Sequence, residues 1–386
     1  MLNGMSSTIT ELETVSFNYE ITDVSFDEHG FNFVYNPGET MTREASILRM
    51  HTSDGLISEL PGSVTRRTAQ YLLGKNPLDR ERHWSEIRRY HRQKRTGDIG
   101  VVDIALWDLA GQYADLSISA LLGRYRENLP CYASTPHGDE NGGLDSPEAY
   151  ADFAEQCLEI GYPAFKIHGW GGSDASRDID REIETVHTVG ERVGDEMDLM
   201  LDPACEYETF LDALKVGRAC DEQHFTWYED PYRDNGTSQH SHRQLRQRLD
   251  TPLLLTEHVQ GLEPHTDFIT GEATDFVRGD LYHGITGLMK VARVAEGFGL
   301  DVELHGPGPA MRQCMAALRN TNYYEMGLVH PDWDHRLGPD LYVDYEDGLT
   351  AVDEHGCVQV STDPGLGVEI DWDYVESREI DRQSYT

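Results

Sequence analysis

The sequence predicts an α/β chain whose larger part is a closed barrel of eight parallel strands. Three observations predict it. Beyond residue ~130, short apolar runs ending in a polar residue alternate with longer amphipathic stretches, the pattern of repeated βα units with right-handed crossovers. Eight such runs (CYAST, AFKIH, DLMLDP, FTWYEDP, PLLLTEH, DFVRGD, DVELHG and YYEMG) follow one another within about 220 residues, enough to close a ring. Several of them end in an ionisable residue, and strand ends of a barrel converge on one face.

The elements follow in order. Residues ~18–60 read as β: FNFVYN alternates, NPG supplies a turn, and SILRMHTSDGLISELPG forms a hairpin closed at Ser53-Asp54-Gly55. Residues ~64–122 read as helical, because VTRRTAQYLLG, ERHWSEIRRYHRQ and VVDIALWDLAGQYA carry apolar residues at helical spacing. LLGRYRENLPCYAST then leaves the helices for a strand at Pro130, which divides a first unit, 1–128, from a second, 129–350. In the second unit SPEAYADFAEQCLEIG and TGLMKVARVAEGFG are helices between strands. Residues 351–386 are Gly/Asp-rich with one late strand and are expected to pack back on the N-terminal part.

Composition narrows the function classes. A hydrophobic fraction of 38%, with six Trp, 19 Tyr and 11 Phe, can bury a large core, so the chain is not globally disordered. The formal charge is −37, with five lysines: Lys75, Lys94, Lys166, Lys215 and Lys290. A nucleic-acid partner, which needs basic patches, is excluded as the default. The acidic residues are spread along the chain, and their repulsion is screened in molar salt, where the Debye length is ~3 Å. That balance suits the high-salt cytoplasm of an extreme halophile. No run approaches ~20 apolar residues, so no membrane span is expected. The start, MLNGMSSTITELETV, lacks the basic and apolar regions of a secretory signal. The six cysteines lack CxxC pairing and are expected as free thiols in a reducing, cytoplasmic setting.

The strand-end residues carry the chemistry. Asp202, Glu229 and Glu257 end successive runs at spacings of 27 and 28 residues, one βα unit each. One such carboxylate alone would cap a helix or pair with an arginine. Three that converge repel one another and demand a cation, and all-oxygen ligation suits Mg²⁺, one per subunit. Lys166 ends AFKIH, where it can act as a base or hold a substrate carboxylate, and His168 points to the same side two residues on. Asp280 and His305 end consecutive runs, and an Asp bonded to one ring nitrogen fixes the imidazole tautomer and raises its basicity. Glu325 ends NYYE, where it can hydrogen-bond a substrate carboxylate oxygen. A cation on an α-hydroxy acid stabilises the dianion formed when the α-proton leaves. If a hydroxyl sits on the β-carbon, protonated His305 can assist its departure, and the enol becomes a 2-keto acid.

At these residues the sequence resembles the enolase superfamily, specifically its mandelate racemase/muconate lactonizing enzyme-like acid-sugar dehydratases. The resemblance extends over nearly the whole chain, through VDIALWDLAGQYADLSISALLG and the closing PGLGVEIDWDYV. It implies a (β/α)7β TIM-like barrel with an N-terminal α+β capping domain completed by the C-terminal segment. It implies Mg²⁺ on Asp202, Glu229 and Glu257, with Lys166 and the Asp280–His305 dyad flanking a sugar-acid substrate. Glu325 matches the acidic residue ending the eighth strand, and a homo-oligomer, dimer to octamer, is expected. Two departures stand out. The second lysine of a KxK pair is His168 here, which weakens two-base racemisation and favours dehydration. DLYHGITG is about two residues shorter than the family's stretch, so the dyad position falls to Asp280 or, without a gap, to Arg278; the FVRGD run favours Asp280. His283 replaces a glycine there and is a candidate substrate contact. The cap loops ~27–39 and ~52–60 would set specificity, with Tyr35, Asn36 and Trp170 as candidate contacts.

Other readings are a racemase or epimerase of a 2-hydroxy acid through the same enediolate, and a non-catalytic barrel. A metal-dependent hydrolase would want histidine-rich ligation, and the single HxH, His240-Ser241-His242, falls in a polar loop. The identity of the acid stays open.

Overall fold

The computed structural model describes residues 7–27, 30–92, 98–170, 178–333 and 335–386. Lys94, and Glu28 and His29 of the first cap loop, lie outside the described residues.

Two long strands open the chain. β1 (Ile9–Phe26) and β2 (Phe33–Thr52) pair antiparallel, and β3 (Ile57–Pro61) adds to β2 through a turn in which Gly55, at φ +88°, donates to Thr52 O at 3.1 Å. β1 therefore starts well before residue 18, because alternation in ITELETVSF extends it. The NPG segment is not the expected turn. Pairing steps from Thr22–Thr40 to Val24–Tyr35, a bulge in which Gly38 N donates to Asp23 Oδ1 at 2.7 Å. The chain reverses instead between Asp27 and Asn32, joined at 2.9 Å.

Helices Arg66–Leu72, Arg80–Tyr90, Asp98–Ala114 and Ile118–Leu122 complete this unit. Asp98–Ala114 is buried on almost every side, as its apolar sequence requires. It packs on β3 and on the later helix Gly284–Gly297. Its Asp103 accepts from Thr286 N at 2.8 Å and its Trp107 donates to Thr286 Oγ1 at 2.9 Å. Asp103 thus supplies, from the first unit, the side-chain cap that helix Gly284–Gly297 lacks in its own sequence.

All eight apolar runs become strands: β4 (Asn128–Ser134), β5 (Ala164–Ile167), β6 (Asp198–Leu201), β7 (Trp227–Glu229), β8 (Leu253–Leu255), β9 (Phe276–Gly279), β10 (Val302–Leu304) and β11 (Tyr324–Gly327). Each of these pairs parallel with its neighbour, β11 pairs with β4, and helices alternate with them. The β10–β11 seam is closed by Val302 N on Asn320 O at 2.8 Å and Gly306 N on Glu325 Oε2 at 2.7 Å. The architecture is a (β/α)7β barrel with an N-terminal antiparallel cap. HSHRQ lies in helix Gln239–Arg246, not a loop.

After the barrel, β12 (Cys357–Gln359) pairs antiparallel with β4, and β13 (Glu379–Tyr385) adds an edge to β1. The C-terminal stretch thus contributes two strands where one was expected, one to each unit. Among the described residues no helix is long and apolar enough to cross a membrane.

The barrel interior is layered by the period-two rule. Tyr132, Ala164, Met200, Trp227 and Leu254 form a buried cluster with Phe276 and Tyr323 against it. Two positions further along the strands stand Ser134, Lys166, Asp202, Glu229, Arg278 and Glu325. An apolar plug therefore floors a polar mouth at the C-terminal strand ends, the face where barrel chemistry occurs.

Candidate active site

At the mouth, Asp202, Glu229 and Glu257 bring one carboxylate oxygen each within 4.8 Å of one another. Asp202 and Glu229 follow the inward phase of their strands. Glu257 does not: Thr256, at φ +91°, breaks the alternation, and its Oγ1 is engaged by the backbone of Arg278. That left-handed residue turns the carboxylate of 257, not the side chain of 256, toward the other two.

Lys166, fully buried, lies 3.0 Å from Asp202 Oδ2, 3.1 Å from Glu229 Oε2 and 3.0 Å from Glu325 Oε1. Burial alone would lower its pKa, but Glu229 and Glu325 outweigh it and hold the ammonium above the ordinary lysine range. His168 Nε2 stands 3.2 Å from Asp202 Oδ2, and Ser134 Oγ is 3.0 Å from Glu325 Oε1.

Across the mouth, His305 Nδ1 and Asp280 Oδ2 are 2.8 Å apart. Burial would lower the imidazole pKa, but Glu257 and the Asp280 bond raise it to about 9. His305 Nε2 lies 3.6 Å from Glu257 Oε1.

Between the choices open for the dyad, the structure sets Asp280 against His305 and gives Arg278 a different position. Arg278 is completely buried below the mouth. Its Nη2 bonds Glu325 at 2.9 Å and its Nη1 bonds the Tyr132 hydroxyl at 3.1 Å. Its Nε is 2.8 Å from Glu229 Oε1 without the alignment of a hydrogen bond. Sequence reasoning gave Arg278 no role of its own. The available signal was its place two residues before Asp280, hence one layer down on the same inward face.

The residues present fit a hard divalent cation. Every donor of the triad is a carboxylate oxygen, and buried Glu229 Oε1 accepts no hydrogen bond among the described residues. Burial pushes Glu229 up to about 8; Asp202 and Glu257 add to the rise, against the pull of Arg278 and Lys166. Asp202 shows the converse: burial would raise it, but Lys166 and His168 hold it well below the carboxylate range.

The four candidate substrate residues make the following contacts. Trp170 is 3% exposed, its indole N–H on Thr185 Oγ1 at 3.0 Å and its ring under Arg181. Its ring also meets that of Tyr150 edge-on, with centroids 5.4 Å apart. Tyr35 stacks on His330 with centroids 4.6 Å apart, and its carbonyl accepts from Asn141 at 2.7 Å. Asn36 donates to Ser25 Oγ at 3.2 Å within the cap. The carbonyl of His283 accepts from Trp84 Nε1 at 2.8 Å, and its ring lines a crevice with His265 and Tyr282. His137, which sequence reasoning passed over, is buried with its ring 5.5 Å from that of His168.

Comparison with known proteins gives a consistent picture. The family model described as enolase C-terminal domain-like matches residues 149–374, and that of the mandelate racemase / muconate lactonizing enzyme N-terminal domain matches residues 41–123. The D-glucarate dehydratase of Agrobacterium tumefaciens, solved in complex with magnesium, superposes with a TM-score of 0.88 at 31% identity, over 97% of this chain and 99% of that one. The D-gluconate dehydratase of Thermoproteus tenax is 24% identical over 96% of this chain and 73% of its own length. The D-xylonate dehydratase of Haloferax volcanii is 26% identical over 83% of this chain and 80% of its own.

Proposed function

Because the chain belongs to the enolase superfamily, in its mandelate racemase/muconate lactonizing enzyme branch, we propose that it is a dehydratase: a lyase that takes water from a sugar acid, an aldonate or an aldarate, to give a 2-keto-3-deoxy acid. The observation that carries this reading is the asymmetry of the mouth. One side holds an imidazole backed by a carboxylate, His305 on Asp280 at 2.8 Å. The other holds an ammonium, Lys166, tied to three carboxylates at 3.0–3.1 Å.

Mg²⁺ held by Asp202, Glu229 and Glu257 would supply positive charge to the substrate carboxylate as charge accumulates there. The remaining steps belong to the chain. Asp280 accepts the Nδ1 proton of His305 in a hydrogen bond and leaves Nε2 as the proton carrier. With its ring in the neutral form, Nε2 takes the proton from the carbon next to the carboxylate, and the C–H electron pair forms the enediolate. The bond from the β-carbon to its hydroxyl breaks, the pair leaves with oxygen, and the same imidazolium returns its proton, so water departs. The enol then tautomerises to the 2-keto acid. His168 stands two residues after Lys166, where a second lysine base would stand, which supports one-base elimination over two-base racemisation.

The test is a product screen. Purified protein in molar KCl with Mg²⁺ is incubated with a panel of aldonates and aldarates, and keto acid is read with semicarbazide. The expected result is a signal on one or two acids, abolished by EDTA and lowered on the order of 10²–10⁴-fold in His305→Asn. Deuterium incorporation at C2 in D₂O without keto product would overturn dehydration in favour of racemisation or epimerisation.

A further inference from the structure

We propose that the loops leaving β6, β7 and β8 hold a second cation site, built from Cys205, Asp230 and His258 and suited to a borderline-soft divalent ion of the zinc type. A thiol sulfur, a carboxylate oxygen and a ring nitrogen of these residues lie within 4.8 Å of one another. They come from the same three strand ends as the oxygen set, displaced three, one and one residues along the chain.

The second, independent observation is the state of Asp230. Its side chain is 1% exposed, and neither carboxylate oxygen accepts a hydrogen bond among the described residues. The nearest cationic candidate is the His258 ring, 3.6 Å from Oδ2. Leaving a buried carboxylate without donors is costly, and the carboxylates of Glu257, Glu229 and Asp202 nearby make it costlier. The backbone keeps the place open. Gly236, at φ +63°, faces the carboxylate so closely that a Cβ there would stand 2.6 Å from Oδ1. Cys205 and Asp230 both have positive φ, +65° and +30°, and Cys205 N donates to Asp230 O at 2.7 Å. That bond fixes the thiol beside the carboxylate.

The donor chemistry separates the two sites. Three carboxylates select a hard ion, whereas thiolate, imidazole and carboxylate together select zinc or cobalt over magnesium. Three protein donors leave a fourth tetrahedral position for water or another ligand, and the His258 side chain is 40% exposed. The thiol proton passes to buffer as the metal–sulfur bond forms. A cation there ties the ends of three strands together beside the residues that carry the oxygen donors.

The experiment needs no substrate, so it stands apart from the dehydratase reading. Chelator-treated protein is saturated with Mg²⁺, and Co²⁺ is titrated in. The expected result is one equivalent bound, with a near-ultraviolet thiolate-to-cobalt charge-transfer absorption that Zn²⁺ displaces. Cys205→Ser should abolish the absorption. His258→Gln should weaken cobalt binding at least about tenfold, the lower bound for losing even an outer-shell partner. Glu257→Gln should keep the absorption, marking the site as separate from the oxygen donors. Absence of the absorption in wild type at one equivalent, its persistence in Cys205→Ser with native circular dichroism, or its loss in Glu257→Gln would each overturn the proposal.

Discussion

Arg278 Nη2 stands 2.9 Å from Glu325 Oε2, with the guanidinium fully buried beneath the mouth of the barrel. The same guanidinium lies 2.8 Å from Glu229 Oε1, so one planar group spans two carboxylates. Removing it would leave Lys166 as the one cation within ion-pair distance of either acid among the described residues. Breaking a buried pair in this way costs about 3–5 kcal/mol. Arg278→Met should therefore lower unfolding stability by that amount in urea titrations without Mg²⁺. A variant as stable as wild type would mean that the network is neutral.

Asp280 touches the imidazole and is not one of the triad. Asp280→Asn should cut turnover at least about 10²-fold, since the ring loses its charged orienting partner. Mg²⁺ affinity, followed by isothermal titration, should stay near wild type. A comparable loss of both would place Asp280 among the cation's supports.

Cation removal should show in stability as well as in turnover. A site filled at 100 times its Kd adds about 2.7 kcal/mol. EDTA should lower Tm, Mg²⁺ should restore it, and Glu257→Gln should show little response to either. An equal response in the variant would exclude Glu257 as a ligand.

Asp103 gives a pH signature. Burial raises its pKa to about 7, against the pull of Thr286 and Arg80. The folded value lies above the unfolded one, so the native state binds more protons between roughly pH 4 and 7. The associated stability is complete below pH ~4 and is lost as pH rises through ~7. For a group 1% exposed, the upper bound is on the order of 4 kcal/mol. Melting curves should show Asp103→Asn gaining on wild type from pH 5 to pH 8. A difference that shrinks with pH would mean that the carboxylate stays ionised in the folded protein.

Trp170 distinguishes packing from recognition. Trp170→Phe removes the 3.0 Å bond to Thr185, for a loss of about 0.5–1.5 kcal/mol. Its product profile on the acid panel should match wild type. A changed preference among acids would return the indole to the substrate pocket.

Local alternation made much of this protein legible without coordinates. A strand-end residue two positions past an inward apolar one must also face inward, so Lys166, Asp202, Glu229 and Glu325 could be read from Ala164, Met200, Trp227 and Tyr323. The eight runs and the Gly55 turn were legible for the same reason, because period and turn chemistry are properties of neighbouring residues. Three features were not. The NPG segment reads as a turn and is a bulge, because Asp23 on the opposing strand captures Gly38 N. Trp170 reads as a loop aromatic and is packing, because Thr185 and Arg181 on the next helix enclose it. Arg278 reads as a rival of Asp280 and is the bridge between Glu229 and Glu325, on strands 49 residues and 47 residues away in sequence. The sequence alone determined the order of the strand ends around the ring and, Glu257 after the left-handed Thr256 excepted, which side chains face inward. Which of them touch was decided only by closure of the barrel, since hydrogen bonds and ion pairs act through a few ångströms of space and ring closure alone brings residues from distant strands that close.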